Sequence, residues 1–312
     1  MESSELNLIM TCILMSTYNG ENFLAEQLKS IEQQEGIAIS VMIRDDGSKD
    51  HTLSILSSWK EEMQKTIVGG VILLSQENVG PARSFMHLIK QAPEADYYAF
   101  CDQDDVWEKD KLASAIAYLE KGDNDIPALY FGQVQLVDEH LNPLPTAKIN
   151  PKCTFYEGLI AHYATGCTFV FNRALLELVR QYNPEYISMH DLWLYHLCLA
   201  VGGNVYFDPI PHIKYRQHSH NVIGLSGGWK KTLRQRWQRT IKKDCERSNT
   251  IIELYKGYKD KIKPEYLPVV KHIVNYRHSV KDLLWLLFYR RLRCDNWHVN
   301  ITMRIALLLH TY

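Results

Sequence analysis

The sequence predicts an α/β protein with a doubly wound, mostly parallel sheet. In about the first 120 residues, four apolar runs of strand length alternate with four segments whose apolar residues recur at helical spacing. Polar loops follow all four runs, and two of these loops are clusters of acidic residues. In a doubly wound sheet such loops lie beyond the carboxyl ends of the strands, where ligands bind.

The predicted strands and helices alternate in the order that a parallel sheet requires. The strands are expected at residues 8–15, 37–43, 71–74 and 97–101. The helices are expected at 21–33, 51–63, 82–91 and 109–119. Ser48 or Asp50 would cap the second helix, and Pro81 is a typical first-turn residue for the third. From about residue 125 to 228 the alternation loosens into shorter elements.

The charge pattern divides the chain near residue 228. With 46% apolar and 23% charged residues, the 312-residue chain is globular, which excludes disordered, collagenous and disulfide-rich secreted classes. Residues 1–228 carry 16 Lys and Arg against 29 Asp and Glu, a balance of −13, whereas residues 229–312 carry 19 against 7, a balance of +12. We therefore expect a main domain at 1–228, with halves of about 1–124 and 125–228, and a basic, mainly helical extension at 229–312.

The chain is expected to be cytoplasmic. Its first five residues carry no Lys or Arg, so the positive segment of a signal peptide is missing. The apolar runs at 8–15 and 283–289 are shorter than the roughly 18–20 residues that span a bilayer. Seven scattered cysteines without a Cys-x-x-Cys pair predict buried, reduced thiols rather than zinc ligands or disulfides.

An acidic cluster after the fourth predicted strand indicates a site for a hard divalent cation. Asp102, Asp104 and Asp105 directly follow the apolar run 97–101. Carboxylate oxygens suit Mg²⁺ or Mn²⁺, which bind one or two carboxylates together with substrate phosphates. The alternative is an acidic loop that caps the next helix. The apolar strand would place these acids at the edge of the sheet, which favours the metal site.

A second acidic pair, Asp45 and Asp46, follows the second predicted strand. These residues either form a simple Asp-Gly turn or accept hydrogen bonds from a ligand. The sequence contains neither Gly-x-Gly-x-x-Gly nor Gly-x-x-x-x-Gly-Lys. Phosphates would therefore be held by a metal ion and basic side chains.

Seven motifs resemble those of inverting GT-A glycosyltransferases of family two, within the bacterial rhamnosyltransferase-like group. They occur in the expected order over about residues 7–224: MSTYNG (15–20), RDDGSKD (44–50), ENVGPARSF (77–85), FCDQDDVW (100–107), TGCTFVFNR (165–173), MHDLWL (189–194) and YRQHSHNVIG (215–224). The resemblance implies a GT-A catalytic domain whose first half binds nucleotide and metal and whose second half binds the acceptor. It also implies transfer from a nucleotide sugar, with dTDP-rhamnose favoured over a UDP-hexose, to a lipid-linked polysaccharide intermediate.

The resemblance assigns roles to individual residues. Asp45 would read the base, and Asp104 would bind the metal that bridges the diphosphate, with Asp102 and His218 as further ligands. The residues expected at the nucleotide are Ser16, Thr17, Tyr18, Asn19, Asp45, Asp46, Arg83 and Asp102. Those expected at the sugar, acceptor or diphosphate are Asp105, Gly166, Cys167, His190, Arg216 and His220. Period-two spacing places Arg216, His218 and His220 on one face of an extended segment.

Asp191 aligns with the acid that serves as the base in the resembling enzymes. Inversion is a single displacement, so the acceptor hydroxyl must lose its proton as it attacks, and a carboxylate can take it. The alternative role for Asp191 is to cap the helix predicted at 192–200, which is compatible with chemistry. His190 stands where an acid is commoner, which leaves its role open. A non-catalytic nucleotide-sugar or glycan-binding module is disfavoured because the metal acids and Asp191 are all present.

The basic extension indicates an anionic membrane surface as a partner. Seven Lys and Arg lie between residues 229 and 243 with Trp229 and Trp237, and Arg290, Arg291 and Arg293 follow an apolar run. The acidic main domain argues against nucleic acid, and a helical bundle packed on that domain is the alternative. The resemblance implies peripheral attachment at the cytoplasmic face of the inner membrane. The oligomeric state stays open.

Overall fold

The computed structural model describes residues 9–64, 66–218 and 245–312, and the predicted α/β class is confirmed. The strands are β1 (Met10–Thr17), β2 (Ala38–Asp45), β3 (Val71–Ser75), β4 (Tyr97–Cys101), β5 (Val106–Trp107), β6 (Ala128–Gly132), β7 (Gln135–Val137), β8 (Val170–Asn172), β9 (Asn204–Asp208) and β10 (Ile213–Arg216). The helices are α1 (Leu24–Glu32), α2 (Thr52–Met63), α3 (Pro81–Gln91), α4 (Lys111–Leu119), α5 (Phe155–Gly158), α6 (Arg173–Arg180), α7 (His190–Ala200), α8 (Glu246–Tyr258), α9 (Leu267–Asn275), α10 (Val280–Phe288) and α11 (Trp297–Leu308).

Seven strands form the main sheet, in the order β3-β2-β1-β4-β8-β6-β9. The sheet is parallel except for β8, which runs antiparallel to both of its neighbours. In the parallel part, Thr17 pairs with Asp45, and Met15 pairs with Cys101. The carboxyl ends of β1, β2 and β4 therefore meet at one edge, as the sequence predicts.

A smaller sheet, β5-β10-β7, lies beside this edge. Strand β10 runs antiparallel to β5, with Lys214 opposite Val106. The pairing brings the residues after β10 next to the acidic cluster that precedes β5. The sequence pattern gave no indication of this sheet, because β5 is only two residues long and β7 only three.

The main sheet is covered on both faces. Along β1, Cys12 and Leu14 belong to one buried cluster, whereas Ile13 and Met15 belong to the other. A strand buried on both faces reads as a continuous apolar run rather than an alternating one. This explains why the predicted strands appear in the sequence as unbroken apolar stretches.

The described part of the C-terminal extension is helical and packs against the sheet domain. Ile251 of α8 and Ile273 of α9 are fully buried in the same cluster as Leu14. Tyr258 donates a hydrogen bond to the Leu178 carbonyl at 3.0 Å, and Tyr312 donates one to the Leu159 carbonyl at 2.6 Å. Among the described residues, no helix has the length and apolar character to cross a bilayer. The predicted basic segment 229–243 lies outside them.

Local details refine several predicted boundaries. Helix α2 begins after His51, and the carboxylate of Asp50 accepts from the Thr52 N–H at 3.0 Å, so Asp50 rather than Ser48 serves the helix start. Helix α7 begins at His190, two residues before the predicted start, and its N-cap residue is Met189. All seven cysteines are free, and six of them are buried.

Candidate active site at the carboxyl edge of the sheet

The loops after β1 and β4 are tied together by one amide side chain. Gln103 accepts from the Tyr18 N–H at 2.8 Å and donates to the Tyr18 carbonyl at 2.9 Å. The neighbouring Asn19 adopts a left-handed backbone (φ 47°), and its side chain accepts from the Lys49 N–H at 2.8 Å. This frame holds the Tyr18 side chain, 45% exposed, at the edge where a nucleotide is expected. Asparagine tolerates this conformation better than most residues.

Asp45 and Asp46 are buried and fully engaged with protein donors. The carboxylate of Asp45 accepts from the Thr17 hydroxyl at 3.1 Å and from two backbone N–H groups and the hydroxyl of the following turn. Asp46 forms an ion pair with Arg44 and accepts from two N–H groups after β3, each at 2.9 Å. Asp46 therefore acts as a structural link between the loops after β2 and β3. A base contact by Asp45 stays a prediction and would replace one of these bonds.

The other residues predicted at the nucleotide lie around the same edge. The Ser16 hydroxyl lies 2.6 Å from that of Ser84 in α3, so it links β1 to this helix. Arg83, one residue earlier in α3, is exposed and donates one hydrogen bond to the Glu185 carbonyl at 3.0 Å. Its remaining guanidinium donors leave it suited to a phosphate.

The acidic cluster and the residues after β10 meet as the sequence predicts. His218 Nε2 lies 2.8 Å from Asp104 Oδ2, and the imidazole also stacks obliquely on Phe23 with ring centroids 4.8 Å apart. Burial, followed by the charges of Asp104 and Asp191, raises the pKa of Asp102 to about 7. Like charges are thus gathered at a point where a cation would relieve their repulsion.

The donor set of the cluster fits a divalent cation. Asp105 is fully buried, and its Oδ2 has no hydrogen-bond partner among the described residues. Ligand atoms of Asp102, Asp105 and Cys167 lie within 4.8 Å of one another. Carboxylate oxygens match Mg²⁺ or Mn²⁺, whereas the Cys167 thiol is too soft for either. Burial raises the pKa of that thiol well above its ordinary value, so it stays protonated beside the acids.

Arg216 supports the cluster from within the protein. Its guanidinium is 1% exposed and donates to the Asp104 carbonyl at 2.8 Å, to the Glu139 carbonyl and to the Glu26 carboxylate. A diphosphate contact by Arg216 stays a prediction and would replace one of these bonds. Both Arg216 and His218 reach Asp104, in agreement with their predicted common face. His220 lies outside the described residues.

Asp191 lies in the first turn of α7, beside the 3₁₀ turn Gly166–Thr168. A Cβ atom on Gly166 would lie 3.1 Å from Asp191 Cβ and 3.3 Å from Asp191 Oδ2. Cys167, the next residue, faces the acidic cluster. The 3₁₀ turn that carries Gly166 and Cys167 therefore lies between the predicted base and the predicted metal ligands. The place of these two residues at the sugar and acceptor stays a prediction.

Two histidines flank Asp191. His190 is buried against Phe85, with ring centroids 3.9 Å apart, and burial lowers its pKa to about 4, so it is a neutral aromatic support. His162 Nε2 lies 3.7 Å from Asp191 Oδ2. Burial alone would raise the pKa of Asp191, but contact with His162, then His190 and the Leu192 N–H, lowers it to about 2. Asp191 is therefore ionised, as a proton acceptor must be.

Sequence reasoning missed three residues that the structure brings to the site: Gln103, Lys111 and His162. Gln103 stands inside a quoted motif, so its position could have suggested a role. Lys111 is buried over the Trp107 ring, with its ammonium 3.6 Å from the ring centroid, and burial lowers its pKa to about 8. His162 is 29 positions from its partner and belongs to no motif.

Comparisons with known proteins identify the family of the chain. The sequence profile of glycosyl transferase family 2 matches residues 12–180, more than half of the chain. The dTDP-rhamnosyl transferase RfbG of Shigella flexneri is 31% identical over 247 residues, which cover 72% of this chain and 81% of RfbG. The poly(ribitol-phosphate) beta-N-acetylglucosaminyltransferase TarS of Staphylococcus aureus is 28% identical over 195 residues, which cover 62% of this chain and 32% of TarS.

Solved structures confirm the GT-A fold. TarS 1–349 of S. aureus in complex with UDP-GlcNAc superimposes with a TM-score of 0.56 at 17% identity, covering 96% of this chain and 90% of that one. A mannosyltransferase from Pyrobaculum calidifontis in complex with GDP-Man and Mn²⁺ gives 0.55 at 16% identity, covering 96% and 85%. The profile match and the identity to RfbG extend this likeness from fold to family. The chain belongs to glycosyl transferase family 2 and is a glycosyltransferase that uses a nucleotide-sugar donor.

Proposed function

We propose that this enzyme inverts the configuration of a transferred sugar by a single displacement, with Asp191 as the general base. The observation that carries the proposal is the placement of an ionised Asp191 one short turn away from the acidic cluster. A nucleotide sugar whose diphosphate lay at the cluster would present its anomeric carbon to the space beside Gly166. An acceptor hydroxyl in that space would lie within reach of Asp191.

Four residues of the chain have distinct roles in this proposal. Asp191 removes the proton of the attacking hydroxyl, which contributes typically 10²- to 10⁴-fold to rate. Gly166 lets its turn pack directly against the start of α7, since a Cβ atom there would lie 3.1 Å from Asp191 Cβ, and His190 fixes the start of α7 by stacking on Phe85. Tyr18, exposed beside the ends of β1 and β2, offers a ring to the nucleotide base.

Asp102, Asp104 and His218 would hold a divalent cation, and a carboxylate oxygen of Asp105 lies within 4.8 Å of the Asp102 ligand atom. When bound, Mg²⁺ or Mn²⁺ supplies a positive charge that stabilises the departing diphosphate. Arg216 fixes the Asp104 backbone, and so the direction of its carboxylate. Burial, followed by the charges of Asp104 and Asp191, raises the pKa of Asp102, and a bound cation would offset both effects.

We infer that dTDP-rhamnose is the preferred donor, with a UDP-hexose as the alternative, and that a lipid-linked polysaccharide intermediate is the acceptor. Identity to the dTDP-rhamnosyl transferase RfbG supports the donor. The test is a panel of nucleotide sugars, each incubated with Mg²⁺ or Mn²⁺, in which release of nucleoside diphosphate is measured. Release from UDP-sugars but not from dTDP-rhamnose would overturn the donor assignment.

The base assignment has its own test. Asp191→Asn should lower the release of diphosphate by about 100-fold or more while binding of dTDP persists, because the amide keeps the shape but cannot take the proton. Asp282→Asn, which alters a carboxylate in the first turn of α10 that contacts His272 of α9, is the matched control and should leave activity unchanged. An Asp191→Asn enzyme that retains most of its activity would contradict the assignment.

We further propose peripheral attachment to the anionic inner face of the cytoplasmic membrane through α10 and α11. Each helix exposes an apolar stripe at helical spacing: Val280, Leu284 and Phe288 on α10, and Trp297, Ile301 and Leu308 on α11. The connecting loop carries the exposed Arg290, Arg291 and Arg293. Apolar side chains beside arginines are typical of a helix pair that lies at a lipid surface.

Vesicle sedimentation tests this attachment. The double variant Leu284→Ser/Phe288→Ser should bind vesicles containing phosphatidylglycerol about tenfold or more weakly than the wild type, because two apolar side chains no longer leave water. Val68→Ser/Ile210→Ser removes two comparably exposed apolar residues elsewhere and is the control. Equal losses in both double variants, or none in either, would refute this surface.

A further inference from the structure

His162 is a half-buried histidine with unused hydrogen-bonding capacity. Its side chain is 19% exposed, and neither ring nitrogen has a hydrogen-bond partner among the described residues. Buried polar atoms normally have hydrogen-bond partners, so an imidazole without one beside a reactive carboxylate indicates a functional role. Its Nε2 points to Asp191 Oδ2 across 3.7 Å. Catalytic hydrogen bonds are often this long before substrate binds and shorten in the complex.

The imidazole of His162 packs against side chains of α7. Helix α7 supplies Asp191 and His190 at its start, and Tyr195 and His196 one turn later; the Tyr195 ring lies edge-on at 5.3 Å between centroids and the His196 ring at 6.3 Å. Both nitrogens of His196 lie within hydrogen-bond distance of backbone carbonyls, at 2.8 and 3.0 Å. Among the described residues around the ring, Asp191 is therefore the carboxylate that can exchange a proton with His162.

We propose that His162 receives the acceptor proton from Asp191 during sugar transfer, an inference that rests on the proposed role of Asp191. The acceptor oxygen forms its bond to the anomeric carbon while the bond from that carbon to the phosphate oxygen breaks. The electron pair leaves with the nucleoside diphosphate. The hydroxyl proton moves to Asp191 Oδ2 and then to His162 Nε2, and it passes to solvent when the products leave, before the next turnover.

Two features of the site favour this transfer. Asp191 Oδ2 and His162 Nε2 face each other across 3.7 Å, so a proton can pass between them once this contact shortens in the complex. The imidazolium formed next to the regenerated carboxylate is an ion pair in a largely dry pocket, which stabilises both groups. His162 is thus a positioning residue that clears the proton from Asp191.

Chemical rescue tests the proposal on the full-length enzyme, with release of dTDP from dTDP-rhamnose as the readout. His162→Gly should lower kcat about 10- to 100-fold with little change in the KM for the donor, because the loss lies in proton transfer. Added imidazole should restore much of kcat in this variant and should activate neither the wild type nor Asp191→Asn. His162→Gln, which fills the space without a proton acceptor, should be slow and insensitive to imidazole; thermal melting and dTDP binding verify that both variants fold.

The outcomes separate the two proposals. If Asp191→Asn is inactive but imidazole fails to rescue a folded His162→Gly, or if His162→Gln keeps wild-type kcat, the relay is wrong and Asp191 stands as the base. If Asp191→Asn is active, the base assignment fails, and the relay fails with it. Rescue by imidazole of His162→Gly alone supports the relay. If His162 were only structural, Gln at this position would preserve kcat, and added imidazole would not restore kcat in His162→Gly.

Discussion

Gly166 gives the sharpest test of how closely Asp191 must be placed. Replacement by Ala adds a Cβ atom 3.0 Å from His190 Nε2 and 3.1 Å from Asp191 Cβ. Both distances are shorter than ordinary carbon contacts of about 3.5–4.0 Å, so the start of α7 must move. Gly166 does not have a positive φ, so the substitution adds no backbone strain of its own. The change therefore acts on the base without touching its chemistry.

The expected loss of kcat follows from how closely the added Cβ atom would approach its neighbours. To relieve these contacts, the start of α7 must shift by about 0.3–0.5 Å. Since about 1 Å of misplacement costs roughly 100-fold in rate, kcat should fall roughly 4- to 10-fold. Overpacking should also cost about 1–3 kcal/mol of unfolding free energy. Binding of dTDP should be unaffected, because the nucleotide is expected at the ends of β1 and β2.

Gly158→Ala is the matched control for this experiment. A Cβ atom there would lie 3.0 Å from Leu199 Cδ1 and 3.2 Å from Tyr195 Cε1, so it presses equally on α7 but one to two turns away from the base. The assays are kcat for diphosphate release, dTDP affinity by calorimetry and unfolding by denaturant. Equal kcat for Gly166→Ala and wild type, or equal losses in both variants, would refute the claim that this turn places Asp191.

Three further predictions concern charge and packing. Because burial and neighbouring carboxylates raise the pKa of Asp102 to about 7, the folded metal-free protein binds this proton more tightly than the unfolded chain, so its Tm in EDTA should fall as pH rises from about 4 to about 7. In Asp102→Asn the Tm should fall less steeply as pH rises, and an unchanged slope of Tm against pH would contradict the raised pKa of Asp102. Asp46→Ala, which leaves the buried Arg44 unpaired, should cost about 3–5 kcal/mol in denaturant unfolding, and a loss below about 1 kcal/mol would show the pair to be unimportant. Ile273→Ala should cost about 2–5 kcal/mol, whereas Val280→Ala, at an exposed site in the next helix, should change stability by no more than about 0.5 kcal/mol; similar values for both would contradict the burial of α9.

The sequence predicts strands well where burial alone defines them. Strand β4 begins and ends at the predicted residues because all five of its side chains are buried. Strand β1, by contrast, continues past the apolar run to Ser16 and Thr17, because the backbone goes on pairing with Arg44 and Asp45 of β2. Hydrophobic patterning detects burial and cannot detect the hydrogen bonds that extend a strand into a polar loop.

For the candidate site, residues in loops after strands were predictable and their partners were not. Asp104 and His218 were expected together from the family resemblance, and they lie 2.8 Å apart. The buried roles of Asp46 and Arg216 were not anticipated, because a charged residue in a motif suggests a ligand until its neighbours are known. His162 gave no signal at all, since its contact with Asp191 depends on how α5 and α7 pack.

The packing of the basic C-terminal extension determines how its membrane binding can be tested. Had the basic extension been a detachable anchor, its removal would be a clean test of membrane binding. Its described helices instead place Ile251, Ile273 and Leu286 in the core that they share with the sheet domain, so truncation would expose apolar surface and destabilise the enzyme. Membrane attachment must therefore be tested by changing exposed residues only. Because α10 and α11 are anchored through this shared core, any surface that they present to a bilayer would hold the catalytic edge at a fixed orientation to it, which a flexible basic tail could not do.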